Sequence, residues 1–200
     1  MALNKLYASL DDIKAALRIT DNVDDTLLSG SLESASRLID GYCGRFFYNA
    51  GTATKTFSPN SYNHVWINDL QSATTIKVST YQIGLFDATL AATDYQLEPL
   101  NGEASGIQTP YTSIRAIGNY SFPEFGEIAS VEVTGTWGWS EIPGTIQTAT
   151  VIQASRLFKR LDSPLGVAGF GDMGAVRVGR GLDGDVAQLC DPYRLRRELA

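Results

Sequence analysis

The chain has 200 residues, 44% hydrophobic and 19% charged, with a formal net charge of −6. These are ordinary globular values and exclude disorder over most of the length. Residues 1–150 hold eight Lys/Arg against sixteen Asp/Glu and residues 151–200 eight against six, so the acidic body is a poor surface for tight nucleic-acid binding, while the basic end suits an acidic protein partner.

In chain order, Ser9 can cap a first helix, with Asp12 three residues later in a capping-box position. Leu10, Ile13 and Leu17 follow at helical spacing, and Asp21-Asn22 breaks the segment. A longer helix is predicted from Asp24, with Asp24 and Asp25 at its positive N-terminal end. Leu28, Leu32, Ala35, Ile39 and Tyr42 make its apolar stripe, Leu27 and Leu38 widen it, and Gly41 and Gly44 end it.

Residues 46–140 are rich in Thr, Val, Ile, Tyr and Phe, punctuated by Gly, Pro and Asn. They predict strands at 53–58, 63–67, 74–81, 94–98, 113–118 and 128–137. The last is clearest, because Val131, Val133, Gly135 and Trp137 alternate with Glu132, Thr134 and Thr136. Pro143 then opens a third helix with Ile146, Ala149, Thr150, Leu157, Phe158 and Leu161 on its buried face. Lys159 and Arg160 sit near its negative end, and Ser163-Pro164 stops it. A Gly-rich stretch with a short strand at 176–178, a short helix at 184–190 and a tail bearing Arg194, Arg196 and Arg197 complete the chain.

The expected class is α+β: a helical core of two N-terminal helices and one long C-terminal helix, with a β-rich insertion. The segments are a hairpin at 1–45, the insertion at 46–141, a core helix at 142–163, and a Gly-rich loop, short helix and basic tail at 164–200. Residues 1–45 and 142–163 form the one helical core.

Catalytic and cofactor chemistry finds little support, and no metal or cofactor is expected. His64 stands alone among strand residues, without a nucleophile or orienting partner in any motif, and is read as a surface strand histidine. Gly169-Phe170-Gly171-Asp172-Met173-Gly174 matches G-x-G-x-x-G. It follows a helix and precedes a strand, the reverse of the dinucleotide arrangement. The paired acids Asp11-Asp12 and Asp24-Asp25 fit helix starts, and Glu98, Glu103, Glu124 and Glu127 are read as solvated. Cys43 and Cys190 have no metal-type spacing and are expected as buried free thiols, a disulfide being out of place in a reducing compartment. No apolar run could span a bilayer, and the first residues lack a secretory signal, so synthesis in the cytoplasm is expected.

Three stretches together resemble the head–tail adaptor, or connector, family of long-tailed bacteriophages. The first is Leu10-Asp11-Asp12-Ile13-Lys14-Ala15-Ala16-Leu17-Arg18-Ile19 with the acids after it, and the second is the helix end Ile39-Asp40-Gly41-Tyr42-Cys43-Gly44-Arg45-Phe46. The third is the strand from Val131 to Trp137-Gly138-Trp139, then Ile142-Pro143 and the helix to Lys159-Arg160. The run from Ser163 to Gly171 is similar to adaptors of phages infecting actinobacteria.

The resemblance implies a non-enzymatic virion protein at the neck. It implies a homo-oligomeric ring, usually a dodecamer, below the portal protein, which double-stranded DNA passes through and which a downstream neck, stopper or tail protein docks onto. A closed ring needs two different sticky faces per subunit. The candidate portal-docking residues are Tyr193, Arg194, Leu195, Arg196 and Arg197, because Tyr and Arg concentrate interface energy. Gly169, Phe170, Gly171, Met173, Arg177 and Arg180 are the candidates for an inter-subunit or partner loop. The competing readings are another neck component (a stopper or tail-completion protein), a glycan-binding module built on the β-rich block and its tryptophans, and a nucleotide-binding enzyme resting on 169–174 alone.

Overall fold

Ser9 opens the first helix through a full capping box: its side chain accepts from the Asp12 N–H, and Asp12 accepts from the Ser9 N–H at 2.8 Å. The structure is a computed structural model and describes residues 5–81, 84–104, 106–126, 128–161, 167–169, 175–177 and 181–195. The chain divides into two compact units, with the boundaries between residues 47 and 48 and between 141 and 142.

The first unit is helical. Helix α1 (Leu10–Leu17) ends at Arg18 in the left-handed region. Lys14 then reaches Asn22 and Asp25, each at 2.8 Å, and ties α1 to the start of α2 (Asp25–Cys43). Leu28, Leu32, Ala35 and Ile39 are buried, together with Ser31, Ser36 and Asp40. Gly44 closes α2 at φ +68°, whereas Gly41 lies within the helix. Leu27 and Leu38 do not widen the buried stripe but are 51% and 38% exposed. At about 100° per residue they share one line of the helix, well around from Leu32.

Helix α3 (Gly144–Leu161) buries Ile146, Ala149, Thr150, Gln153 and Ala154. Leu157 and Phe158 pack half-buried against the cluster of Ile13, Leu28 and Leu32. Leu161, expected on the buried face, is 55% exposed at the last residue of the helix. Gln153 takes a buried place the apolar pattern did not assign, and its Oε1 accepts from the Asp183 N–H at 3.2 Å. Asp183 in turn caps α4 (Gly184–Cys190), which runs into a 3-10 turn at Asp191–Tyr193.

The second unit is an antiparallel sheet. Its strands are β1 (Asn49–Phe57), β2 (His64–Val78), β3 (Ala88–Thr89), β4 (Tyr95–Glu98), β5 (Glu103–Ala104), β6 (Ile107–Gln108), β7 (Tyr111–Ala116) and β8 (Val131–Gly138). The main path runs β1-β8-β2-β7-β4, β3 pairs with the end of β2, and β5 pairs with β6 alone. The strands expected at 63–67 and 74–81 are one strand, β2, whose register shifts within 66–75. Those shifts hide the continuity, because each extra residue flips the in–out alternation. Val65, Ile67, Leu70, Ile76, Ile114, Val131, Val133 and Trp137 form the core. Gly135 is required on β8, where a Cβ would collide with the Ser72 carbonyl of β2. Two further strands, β9 (Val167–Gly169) and β10 (Ala175–Arg177), pair antiparallel. The α+β class expected from the sequence is the observed one.

Candidate functional site

The C-terminal candidates lie on the helical unit, and the structure redistributes their roles. Tyr193 is 1% exposed, and its ring packs edge-on against Phe47 at 5.8 Å, which packs edge-on against Tyr7 at 5.7 Å. The Leu195 N–H donates to the Cys43 carbonyl at 2.8 Å, extending the capping of α2 beyond Gly44. Tyr193, expected as a partner anchor, is buried in its own chain, whereas Leu195 is held by its backbone with its side chain half-buried, after the 3-10 turn that contains Pro192. Arg194 does point outward. Its guanidinium sits 5.0 Å from the centroid of the Tyr42 ring and 3.9 Å from Asp191. The Tyr42 hydroxyl donates to Asp191 at 2.6 Å, and that bond raises the phenol's pKa. Arg196 and Arg197 lie outside the described residues.

Of the loop candidates, Gly169 ends β9 opposite Ala175, and Arg177 in β10 is paired with Val167. Phe170, Gly171, Met173 and Arg180 lie outside the described residues. The G-x-G-x-x-G run therefore joins two antiparallel strands, with no helix N-terminus at its end. In the dinucleotide fold that terminus supplies the positive dipole for the pyrophosphate.

His64 is not a surface residue. It is buried, Nδ1 lies 3.1 Å from the Asn60 amide oxygen, and its ring meets Trp66 edge-on at 4.4 Å. Burial, then the Arg115 charge, lowers its pKa and so favours the neutral imidazole. Glu98 is likewise not merely solvated: Arg115 grips it with two nitrogens at 2.6 and 3.1 Å, and that pairing lowers its pKa. Asp12 serves the α1 cap and Asp25 pairs with Lys14, whereas Asp24, at the N-cap of α2, makes no side-chain capping bond.

A buried polar cluster in the helical unit escaped the sequence reading. The Tyr7 hydroxyl donates to Asp40 Oδ1 and accepts from the Phe47 N–H at 3.0 Å. Arg37 Nε lies 3.2 Å from Asp40 Oδ2, and the Tyr7 N–H donates to Ser36 Oγ. Burial raises the pKa of both Tyr7 and Asp40. Tyr7 and Asp40 are 33 residues apart, so no local spacing announces the pair. The one sequence signal is an Asp on the apolar stripe of a helix, where a charge needs a partner.

The sheet unit has a small cleft of about 260 Å³ lined by Gln71, Ser72, Gln108, Thr109, Pro110 and Ser140. Its walls carry amides and hydroxyls but no base to activate a nucleophile. Among the described residues no group of three or more His, Cys, Asp or Glu could hold a metal ion, and no helix is long and apolar enough to cross a membrane. The helical unit instead exposes large apolar side chains, among them Val23, Leu27, Leu38 and Phe46.

A helical unit interrupted by an antiparallel sheet is an α+β architecture. Residues 7–82 match the model of the phage gp6-like head-tail connector protein family. That span contains α1, α2, β1 and β2, and so includes two of the stretches that carry the sequence resemblance. No curated protein matches the chain.

Among solved structures, the chain is similar to a chain in the neck of an empty GTA particle computed with C6 symmetry. That likeness has TM-score 0.56 and 17% identity, and covers 96% of this chain and 92% of that one. A chain in the virion of a native gene transfer agent particle gives TM-score 0.54 and 19% identity, with the same coverage. A chain in the neck of a native GTA particle computed with C12 symmetry gives 0.51 and 17%, over 100% and 98%. The likeness takes in the β-rich block as well as the helices, so the whole architecture is shared.

Proposed function

We propose that this protein is a structural neck component of a phage-type particle: a head–tail adaptor that forms a ring below the portal, extends the DNA channel and presents a docking surface to the next neck or tail protein. The observation that supports it most is the fold likeness over at least 96% of the chain to neck and virion chains. The connector-family match over residues 7–82 points the same way. The relatives' C6 and C12 symmetries favour a ring, whose closure needs unlike faces on each subunit. The net charge of −6 suits a lumen along which DNA slides without sticking. No catalytic step is assigned to the chain.

In this reading Arg194, with Arg196 and Arg197, supplies the cations that meet an acidic portal surface, and Tyr193 holds that segment in place from beneath. The Gly-rich segment around β9 and β10 makes contact with a neighbouring subunit. Incubating the purified protein with portal-bearing heads and imaging the vertex tests the proposal. The expected result is a ring of density below the portal. Density only beneath a separately supplied adaptor would favour the stopper or tail-completion reading. Absence of binding to any neck component would refute both.

A further inference from the structure

Cys43 closes α2 and Cys190 closes α4. They are 147 residues apart in the chain, yet Cys43 Sγ donates to the Cys190 carbonyl oxygen at 3.8 Å. The two side chains are close enough for each to shift the other's ionisation. Both are free thiols, 2% and 0% exposed. Burial alone would make each a small hydrophobe. Neighbours within one chain and buried away from other chains' thiols, they are also placed to act as a redox couple.

We propose that Cys43 and Cys190 are a latent disulfide site, closed by a small peroxide once the protein leaves reducing surroundings. Helix α4 has only seven residues, and local opening of so short an element admits a solute of peroxide size. The bond from Cys43 lowers the Cys190 pKa, while Cys43 is pushed up. Because the Cys43 thiol keeps its proton on the Cys190 carbonyl, Cys190 is the attacking sulfur. Its thiolate takes one peroxide oxygen as the O–O bond breaks, giving Cys190 sulfenic acid and hydroxide. The hydroxide takes the Cys43 proton and leaves as water. Cys43 sulfur then attacks Cys190 sulfur, the S–O bond breaks, and the departing hydroxide picks up a solvent proton, matching the one lost when Cys190 ionised. Two thiols and one peroxide become one disulfide and two waters, with sulfur oxidised and peroxide oxygen reduced.

The bond would fasten α4 to the end of α2, immediately before the segment that carries Arg194. It does not depend on the neck assignment, since it rests on the pair's contact within one chain.

The test uses the full chain, purified with reductant, freed of it without air, and treated with an equivalent of hydrogen peroxide. After unfolding, both thiols should titrate in the untreated sample and neither in the treated one. Peptide mapping should recover the Cys43–Cys190 pair two hydrogen masses lighter, on a chain that runs as a single polypeptide when unfolded without reductant. Cys43→Ser should halt at Cys190 sulfenic acid, trapped by a cyclic 1,3-dione. Both thiols still titrating after treatment, sulfinic acid on Cys190, or disulfide-linked dimers would each overturn the proposal. The wild-type arm needs no substitution, so a poorly folding variant cannot rescue it.

Discussion

The helical unit and the sheet unit are held together by different means. In the sheet, cohesion follows strand register: Val131 and Val133 face the core, while Thr134 and Thr136 meet Thr54 and Thr52 across the β1–β8 pair at 2.8 and 3.4 Å. In the helical unit, apolar packing is joined by polar ties between residues far apart in the chain, such as Tyr7 with Asp40, Gln153 with Asp183 and Tyr42 with Asp191. Alternation is a local rule that neighbouring residues obey together, whereas a polar tie is a single pairing with no periodic trace. The sheet should therefore lose most from losing one large core side chain, and the helical unit should be the more sensitive to charge and pH.

The largest effect is expected at Trp137, which is fully buried and donates through its indole N–H to the Ala53 carbonyl at 2.8 Å. Trp137→Ala should cost about 3–5 kcal/mol in chemical denaturation. Hydrogen exchange should place the lost protection in β1, β8 and β2, and protection lost equally from α2 would break the contrast between the units.

Next comes Leu32→Ala, expected at about 2–5 kcal/mol because Leu32 is wholly buried. Its control is Leu27→Ala, one line away on the same helix and half exposed, which should stay within about 0.5 kcal/mol. Equal losses would mean that the Leu27 line is covered in the protein as tested.

The pH responses should have opposite signs. Burial raises Asp40 above its ordinary value of 3.8, so the folded state holds the proton more tightly. Stability is lost as pH climbs from 3.8 through the raised value, and Asp40→Asn should remove that slope. Burial lowers His64 below 6.5, so its contribution is present above 6.5 and is lost as pH falls through the lowered value. His64→Gln should flatten that limb. Thermal melts across the pH range check both, and one shared slope removed by either substitution would contradict the assignment. The smallest effect belongs to Arg156, which bridges Asp183 and Asp185 at the α4 cap from a partly exposed position. Arg156→Ala should cost about 0–1 kcal/mol, and that cost should shrink at high salt, which screens the pair.

Legibility from sequence divides along the same line. Ser9 with Asp12, the left-handed stop at Gly44 and the alternation of β8 were all readable, because each rule acts within a few residues. The continuity of β2 was not, since its register shifts break the period that reveals a strand. His64 looked like a surface residue because no sequence rule foresees that Asn60 and Trp66 cover it. Tyr193 had the composition of an interface anchor, and only the turn at Pro192 shows that the interface it serves is internal. Arg194 kept its outward place, since a guanidinium beside Tyr42 and Asp191 can remain hydrated while stacked.

The pairing of Asn49 with Gly138 has a consequence for chain closure. The first and last strands of the sheet are neighbours, so the polypeptide enters and leaves the sheet across about one strand spacing, roughly 5 Å. For the entropy of bringing α2 and α3 together, the intervening ninety or so residues then count as a short hairpin once β1 and β8 have zipped. Before that they count as a long floppy loop. Formation of the β1–β8 pair should thus act as the latch that makes helix assembly entropically cheap. Insertions between β2 and β7 should leave the meeting of α2 and α3 almost untouched, whereas one placed between Phe47 and Asn49 would lengthen the loop that the latch leaves to close.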